Sequence, residues 1–502
     1  MFSKVLITNR GEIACRVIRT CRAMGIQTVA VYSRPDAQAR HVLEADEAVF
    51  IGEAEPHHSY LNIEKLLDAA KQTGAEAIHP GYGFLSERAP FAQAVMDAGL
   101  TWIGPNPEVI EQLGDKLIAR GIMMGNNVPT IPGTTLDGEE LATWKAQADE
   151  LGYPLLIKAA AGGGGKGMRV VHSSDEFEGA CKTAASEAKS AFGDDRVYLE
   201  RFVENPRHIE VQVLADHHGN TLYLFERECS IQRRHQKIIE EAPSPVISPE
   251  MRQKMGETAV LAAKAVGYTN AGTVEFLYDS SRDEYYFLEV NTRLQVEHPI
   301  TEEITGLDLV HWQLRVASGE ALPFKQEDLS IRGHSFECRI YAEDPAMNFA
   351  PSPGLISYLK EPVGPGIRVD SGVYSGAEVS VYYDPILAKL VATGETRDLA
   401  RRRMIQALKQ TVVLGIKTGI PMMIEILEHE AFIKGELTTH FLRDHFPDWS
   451  PSEEDADLAA IAYVLDQLLP GAATTSGATG NVAGQESLPT PWQTLGNWRM
   501  GQ

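Results

Sequence analysis

The sequence predicts an α/β protein that opens on a doubly wound parallel sheet and turns α+β towards its C-terminal part. Three observations predict it. Short apolar runs alternate with helical stretches over residues 1–114. A strand-dense region follows from about residue 208, interrupted by one long helical stretch at 249–266. Between the two, an apolar strand runs into Gly162-Gly163-Gly164-Gly165-Lys166-Gly167-Met168.

In order, residues 4–8 read as a buried strand and Gly11 opens a helix with Ile13, Val17, Ile18 and Cys21 on one face, stopped by Gly25. Residues 28–32 are a second strand. This opening invites a dinucleotide reading, but residues 9–14 lack the G-x-G-x-x-G spacing, and no acid ends the second strand to hold a ribose. A helix at 63–73, a strand at 77–78, the turn His79 to Gly83, a helix at 90–98 and a strand at 101–104 complete the first unit. Residues 115–203 form a small α/β unit carrying the glycine run. Residues 204–332 and 333–446 carry most remaining strands, including 208–214, 221–226, 236–241, 272–278, 285–290 and 334–342. Residues 447–502 change character, with a helical stretch at 453–469 and a small-residue linker at 471–486.

Composition narrows the function classes. A net charge of −23 repels nucleic acid and anionic membranes, so any anion site is a local basic pocket. No apolar run approaches the roughly 20 residues a bilayer needs. The five cysteines form no CxxC pair and read as reduced, buried thiols. With no signal-peptide or presequence pattern, the expected compartment is the cytoplasm, or the mitochondrial matrix if a presequence has been removed.

Four glycines in a row between Lys158 and Lys166 bring no side chains to a core, so backbone amides there approach something anionic. A phosphate-covering loop fits better than a flexible linker. It is not a Walker A loop, since Ala160 and Gly167 stand where that pattern needs Gly and Ser or Thr. Downstream, two strands flank the turn 280–283. Pairing Tyr278 with Tyr286 places Glu275 opposite Glu289, with Asn291 on the same face. Facing carboxylates repel unless a cation bridges them, and an all-oxygen set suits Mg²⁺ or Mn²⁺ carried with nucleotide phosphates. Arg293, Gln295 and Glu297 alternate beside it, as an anion clamp with a base or as a surface ion pair. Arg233, His235 and Lys237 would share one strand face, and Arg339 is an arginine inside an apolar strand that needs a partner.

Together these residues resemble the biotin carboxylase component of biotin-dependent carboxylases, within the ATP-grasp superfamily, from about Lys4 to Phe446. The resemblance is carried by Ile7-Thr-Asn-Arg-Gly-Glu-Ile-Ala14, His79-Pro-Gly-Tyr-Gly-Phe-Leu-Ser-Glu87, Gly114-Asp-Lys116 and the glycine run. It continues through residues 228–237, Glu289-Val-Asn-Thr-Arg-Leu-Gln-Val-Glu-His298 and Arg339-Ile-Tyr-Ala-Glu343. It implies an ATP-grasp fold and a ligase that carboxylates N1′ of biotin through carboxyphosphate. It assigns Lys116, Lys158, residues 162–168, Glu200, Phe202, His208, Gln232, His235 and Leu277 to ATP, with the glycine run as a lid. Glu275, Glu289 and Asn291 go to the metal, and Lys237, Arg293, Gln295 and Val296 to bicarbonate. Glu297 becomes the base, and Arg339 and Tyr82 face biotin. No Met-Lys-Met occurs, so biotin would come on a separate carrier, with a carboxyltransferase subunit as further partner and a homo-oligomer left open. The tail resembles the linker region of acyl-CoA carboxylase α subunits, notably the methylcrotonyl-CoA type; acetyl-, propionyl- and geranyl-CoA are the other acceptors weighed. The competing readings are another ATP-grasp ligase and an ATP-binding module without catalysis.

Overall fold

Five parallel strands open the chain: β1 (Lys4–Ile7), β2 (Gln27–Ser33), β3 (Glu47–Gly52), β4 (Ala77–His79) and β5 (Thr101–Trp102), in the order β3-β2-β1-β4-β5. The computed structural model describes residues 1–135, 141–160 and 168–452. Val5, Leu6 and Ile7 are fully buried because helices cover both faces, which is why β1 reads as an unbroken apolar run. The edge strand β3 escaped the sequence reading: Glu47, Ala48 and Phe50 are exposed, so it lacks that signature. The strand order reverses between β1 and β4. In the crevice there, Asn9 Nδ2 donates to the carbonyls of Pro80 and Tyr82 at 2.8 and 2.7 Å and fixes the turn that carries Tyr82.

The helix Gly11–Ala23 buries the expected Ile13, Val17, Ile18 and Cys21, but also Glu12 and Arg16. Arg16 pairs with Glu302 and Asp308 at 2.6 and 2.9 Å, and Glu12 lies 3.3 Å from Lys389, so this helix binds the first sheet to the later part of the chain by charge as well as packing.

Asp115 caps the helix Lys116–Gly125 by accepting from the amides of Leu117 and Ile118, which sets Lys116 at its start. Four antiparallel strands follow: β6 (Gly133–Thr135), β7 (Leu155–Ala159), β8 (Arg169–Val171) and β9 (Val197–Arg201), ordered β6-β9-β7-β8. Leu155, Ile157, Val197 and Leu199 pack on Phe177 and Cys181 of the helix Ser174–Phe192. Gly162 to Gly167, Lys166 among them, lie outside the described residues, as do residues 453–502 with the helix, linker and tail read there.

An antiparallel sheet of eight strands dominates the rest. It contains β10 (Pro206–Ala215), β11 (Thr221–Arg233), β12 (Gln236–Ala242), β13 (Asn270–Asp279), β14 (Glu284–Asn291) and β15 (His334–Tyr341), with Ile367–Ser371 and Ile386–Gly394. The order is β14-β13-β10-β11-β12-β15, then Ile386–Gly394, then Ile367–Ser371. The helix Pro249–Ala265 covers one face, packing Met251, Met255 and Ala259 with Val211, Val274 and Phe276. The 332/333 division drawn from sequence thus separates strands that hydrogen-bond in one sheet, through β12 and β15. Residues 1–450 form a single compact unit. The expected hairpin register is off by one at its tip, since Tyr278 faces Tyr285 and not Tyr286. A bulge between Phe287 and Glu289 then inserts Leu288 and restores Glu275 opposite Glu289. Among the described residues no helix is long and apolar enough to cross a membrane, and all five cysteines are free and buried.

Candidate active site

Cross-strand pairing lines up Glu289, Glu275, Glu210 and Arg227 on β14, β13, β10 and β11. Arg227 is fully buried and spends its donors on Glu210 (2.6 Å), Gln212 (2.9 Å), Thr301 (2.8 Å) and Thr273 (3.1 Å). From β12, Lys237 reaches into the row. Its Nζ lies 2.5 Å from Glu210, 3.0 Å from Glu275 and 2.6 Å from Glu297. Glu297 has no exposed surface; it occupies the N-cap of the helix His298–Thr305, and its other oxygen accepts from Arg339 Nη2 at 3.0 Å. Arg339 in turn donates through Nε to Glu240 at 2.5 Å.

These contacts fix the ionisation states. Burial opposes charge on Glu297, but Lys237, Arg339 and Arg227 outweigh it and hold the carboxyl well below its usual range. Glu275 is likewise held well below, against burial, by Lys237 and His208, whose Nε2 lies 3.1 Å away. Burial also works against the Lys237 ammonium, yet its three carboxylates keep it well above the ordinary lysine value. His235, exposed on one side and crowded on the other, is pushed down first by desolvation and then by His208, Lys116 and Lys158. That last set marks a positive region where the expected nucleotide residues converge.

Within that region each lysine leans on a carboxylate: Lys116 on Glu289 at 3.5 Å, and Lys158 on Glu200 at 2.5 Å. Glu200 is buried and also accepts from Arg120 at 3.0 Å. Phe202 and Leu277 are half-buried, and His208 stands opposite Leu277. Gln232 pairs with Lys237 across the β11–β12 turn. Met168 is the first described residue after the glycine run.

On the other side, Asn291 Nδ2 donates to Glu275 at 2.8 Å. Arg293 reaches Glu87 (2.8 Å), Gln295 (2.9 Å) and the Asn291 oxygen (3.3 Å). The Val296 carbonyl accepts from Lys389 at 2.9 Å, and the Tyr82 ring lies 5.8 Å from that ammonium. Two expectations fail. Residues 293–297 bend and do not run extended, so Arg293 and Gln295 meet each other while Glu297 turns to Lys237 and Arg339. Nor do Arg233, His235 and Lys237 share a face. Arg234 and His235 adopt positive φ in the turn, and Arg233 turns from Lys237 to the Asn348 carbonyl and the Phe349 ring, 4.3 Å away, where it lines a cleft together with Arg339.

Three family models match the chain: "Biotin carboxylase, N-terminal domain" over residues 1–110, "Carbamoyl-phosphate synthase L chain, ATP binding domain" over 115–325, and "Biotin carboxylase C-terminal domain" over 337–444. A biotin carboxylase of Halalkalibacterium halodurans is 52% identical over 447 residues, covering 89% of this chain and 98% of that one. The chain belongs to the biotin carboxylase family. The mitochondrial methylcrotonoyl-CoA carboxylase subunit alpha of Dictyostelium discoideum is 47% identical over 504 residues, 99% of this chain and 70% of the relative. The biotin carboxylase domain dimer of Hydrogenobacter thermophilus 2-oxoglutarate carboxylase, solved with MgADP, ADP and bicarbonate, superposes with a TM-score of 0.86 at 48% identity, covering 90% of this chain and all of that one. The fold is therefore that of the ATP-grasp biotin carboxylases, and the enzyme class is an ATP-dependent ligase.

Several residues of this biotin carboxylase site were not singled out in the sequence: Glu87, Glu210, Arg227, Glu240 and Lys389. Two of them, Glu210 and Lys389, are charged residues between apolar neighbours in a strand, the signal that did single out Arg339; Arg227 lies between Glu226 and Glu228, and Glu240 beside Glu241, so neither carries it.

Proposed function

We propose that this chain carboxylates biotin borne on a separate carrier domain or protein, using ATP and bicarbonate, as the first half-reaction of a methylcrotonyl-CoA type carboxylase. The observation that carries the reading is Glu297, an ionised, fully buried carboxylate held between Lys237 and Arg339. It joins the paired carboxylates of β13 and β14 to the cleft that Arg339 lines with Gln236, Ile238 and Tyr341.

In this reading Lys237, Arg293, Gln295 and the Val296 backbone hold bicarbonate, and Glu297 takes its proton, which makes the anion a better nucleophile towards the γ-phosphate. Lys116 and Lys158, with His208 and His235 nearby, exchange their carboxylate partners for phosphates. Glu200, Phe202, Leu277 and Gln232 surround the base and ribose; the phosphate-covering role expected of the glycine run falls on residues outside the described ones. Glu275 and Glu289 offer carboxylate oxygens from one face, and the Asn291 amide, whose nitrogen here donates to Glu275, would add its oxygen on turning over, an all-oxygen set that fits Mg²⁺ or Mn²⁺. That ion, when bound, supplies charge neutralisation for phosphoryl transfer. Arg339, with Tyr82, faces the acceptor ring.

Two experiments test this. Bicarbonate-dependent ATP cleavage is expected to rise with free biotin; ATP binding without any biotin stimulation would sink the reading. Glu289→Gln is expected to raise the Mg²⁺ concentration for half-maximal rate by at least about tenfold, the scale that even outer contacts of a metal site cost. An unchanged Mg²⁺ requirement would remove Glu289 from the metal site.

The methylcrotonyl-CoA assignment is supported by the Dictyostelium relative, whose similarity runs through 99% of this chain, whereas the Halalkalibacterium biotin carboxylase stops at 89%. Assaying the carboxyltransferase that co-purifies with the chain against 3-methylcrotonyl-, acetyl-, propionyl- and geranyl-CoA decides it. A cytoplasmic or matrix location accords with either setting of these relatives.

A further inference from the structure

Behind Arg339 lies a second pair of carboxyls that the reaction described above does not use. Glu240 on β12 stands directly opposite Glu337 on β15, and both are buried, 1% and 0% exposed. Neither oxygen of Glu337 has a hydrogen-bond partner, nor does the Glu240 oxygen turned away from Arg339. The charged groups facing them are few. Arg339 bonds Glu240, while Glu297 and Lys237 lie beyond it towards the reacting centre. From the strand Ile386–Gly394, Lys389 stands opposite Arg339 and attracts Glu337 from the diagonal position, but it already donates to the Val296 carbonyl and pairs with Glu12. Two adjacent carboxylates with so little compensating charge do not both ionise.

We propose that Glu240 is a positioning residue for Arg339, and that Glu337 stays protonated beside it, so that one negative charge braces the guanidinium from behind. The geometry gives the reason. Arg339 uses Nε on Glu240 and Nη2 on Glu297, which fixes its planar fork, and Nη1 lies 3.5 Å from the Tyr341 hydroxyl, which lines the cleft with it. A second negative charge at Glu337 would compete with Glu297 and the acceptor ring for the same guanidinium. The ionisation behaviour agrees: burial pushes Glu240 up to about 7 despite Arg339, and pushes Glu337 well above the carboxylate range despite Lys389.

The brace rests on the role given to Arg339 in the proposed function, while the protonated Glu337 is testable in the ligand-free protein. Infrared difference spectra of the full chain at neutral pH should contain a protonated-carboxyl C=O band that Glu337→Gln removes. Folded Glu337 keeps a proton that an unfolded carboxyl releases near 4.5, so stability falls as pH rises above that value. Glu337→Gln should flatten that slope in denaturant titrations. No such band, or an unaltered band and slope in the variant, overturns the protonated Glu337. For the brace, Glu240→Gln should raise KM for free biotin by roughly tenfold, the scale of a lost charged hydrogen bond, and change biotin-independent ATP cleavage several-fold less. Equal changes in both overturn it, as does an unchanged KM where Arg339→Ala loses biotin stimulation. If Arg339→Ala keeps normal stimulation, the role of Arg339 itself falls, and the brace with it, whatever the infrared band shows.

Discussion

Glu297→Gln is expected to lower biotin-dependent carboxylation by roughly 10²–10⁴-fold, the range that a positioned general base contributes, with ATP affinity within about twofold of the parent. The substitution keeps size and shape and removes only the proton-accepting charge. The fold should tolerate it, because Lys237 retains Glu210 and Glu275, and Arg339 retains Glu240. Steady-state carboxylation, compared with nucleotide affinity from equilibrium titration, separates the two effects. Loss of ATP binding would show that Glu297 organises the nucleotide region and is not the base.

The second large effect is on stability. Arg227→Met should cost about 3–5 kcal/mol, the penalty for stripping one partner from a buried ion pair. Arg227 has no exposed surface, and its loss leaves Glu210 with Lys237 as its remaining ion-pair partner at contact distance, beside the carboxylates Glu275 and Glu297. Adding Glu210→Gln should recover part of the loss, because the stranded charge then disappears. Urea titrations of the parent, both single variants and the double variant measure this. A cost under about 1 kcal/mol for the single variant, or strictly additive losses, would show that Arg227 acts by packing alone.

How far the sequence carried the site depends on the range of the interaction. Strand alternation within one hairpin brought Glu275 and Glu289 together, although the tip pairing was wrong by one residue and the Leu288 bulge compensated. Local periodicity cannot show a bulge, which depends on the partner strand. The basic run 233–237 was visible, but its dispersal was not: the positive φ of Arg234 and His235 turns the chain there and sends Arg233 outward while Lys237 goes in. Arg227 and Glu210 were illegible for a different reason. They also face each other within one hairpin, β10–β11, but a register shift between Val211 and Val213 lies between the turn and their pairing, and Arg227 sits between Glu226 and Glu228, where a charged residue draws no notice. The division of labour among ATP, bicarbonate and biotin residues came from motif resemblance, not from patterning.

The eight-stranded sheet has a mechanical corollary. The oxygen cluster of β13 and β14 and the guanidinium of β15 belong to one hydrogen-bonded ladder, without a joint between them. In a flat sheet β13 and β12 would stand about 14 Å apart, so the 3.0 Å contact between Lys237 and Glu275 is a chord drawn across a curved surface. The bulges in β10, β11 and the β13–β14 hairpin supply the bend. On the proposed roles, the carboxylates that would hold the metal and the guanidinium that would face the acceptor are carried by one sheet, and an opening that admits nucleotide would lie outside it.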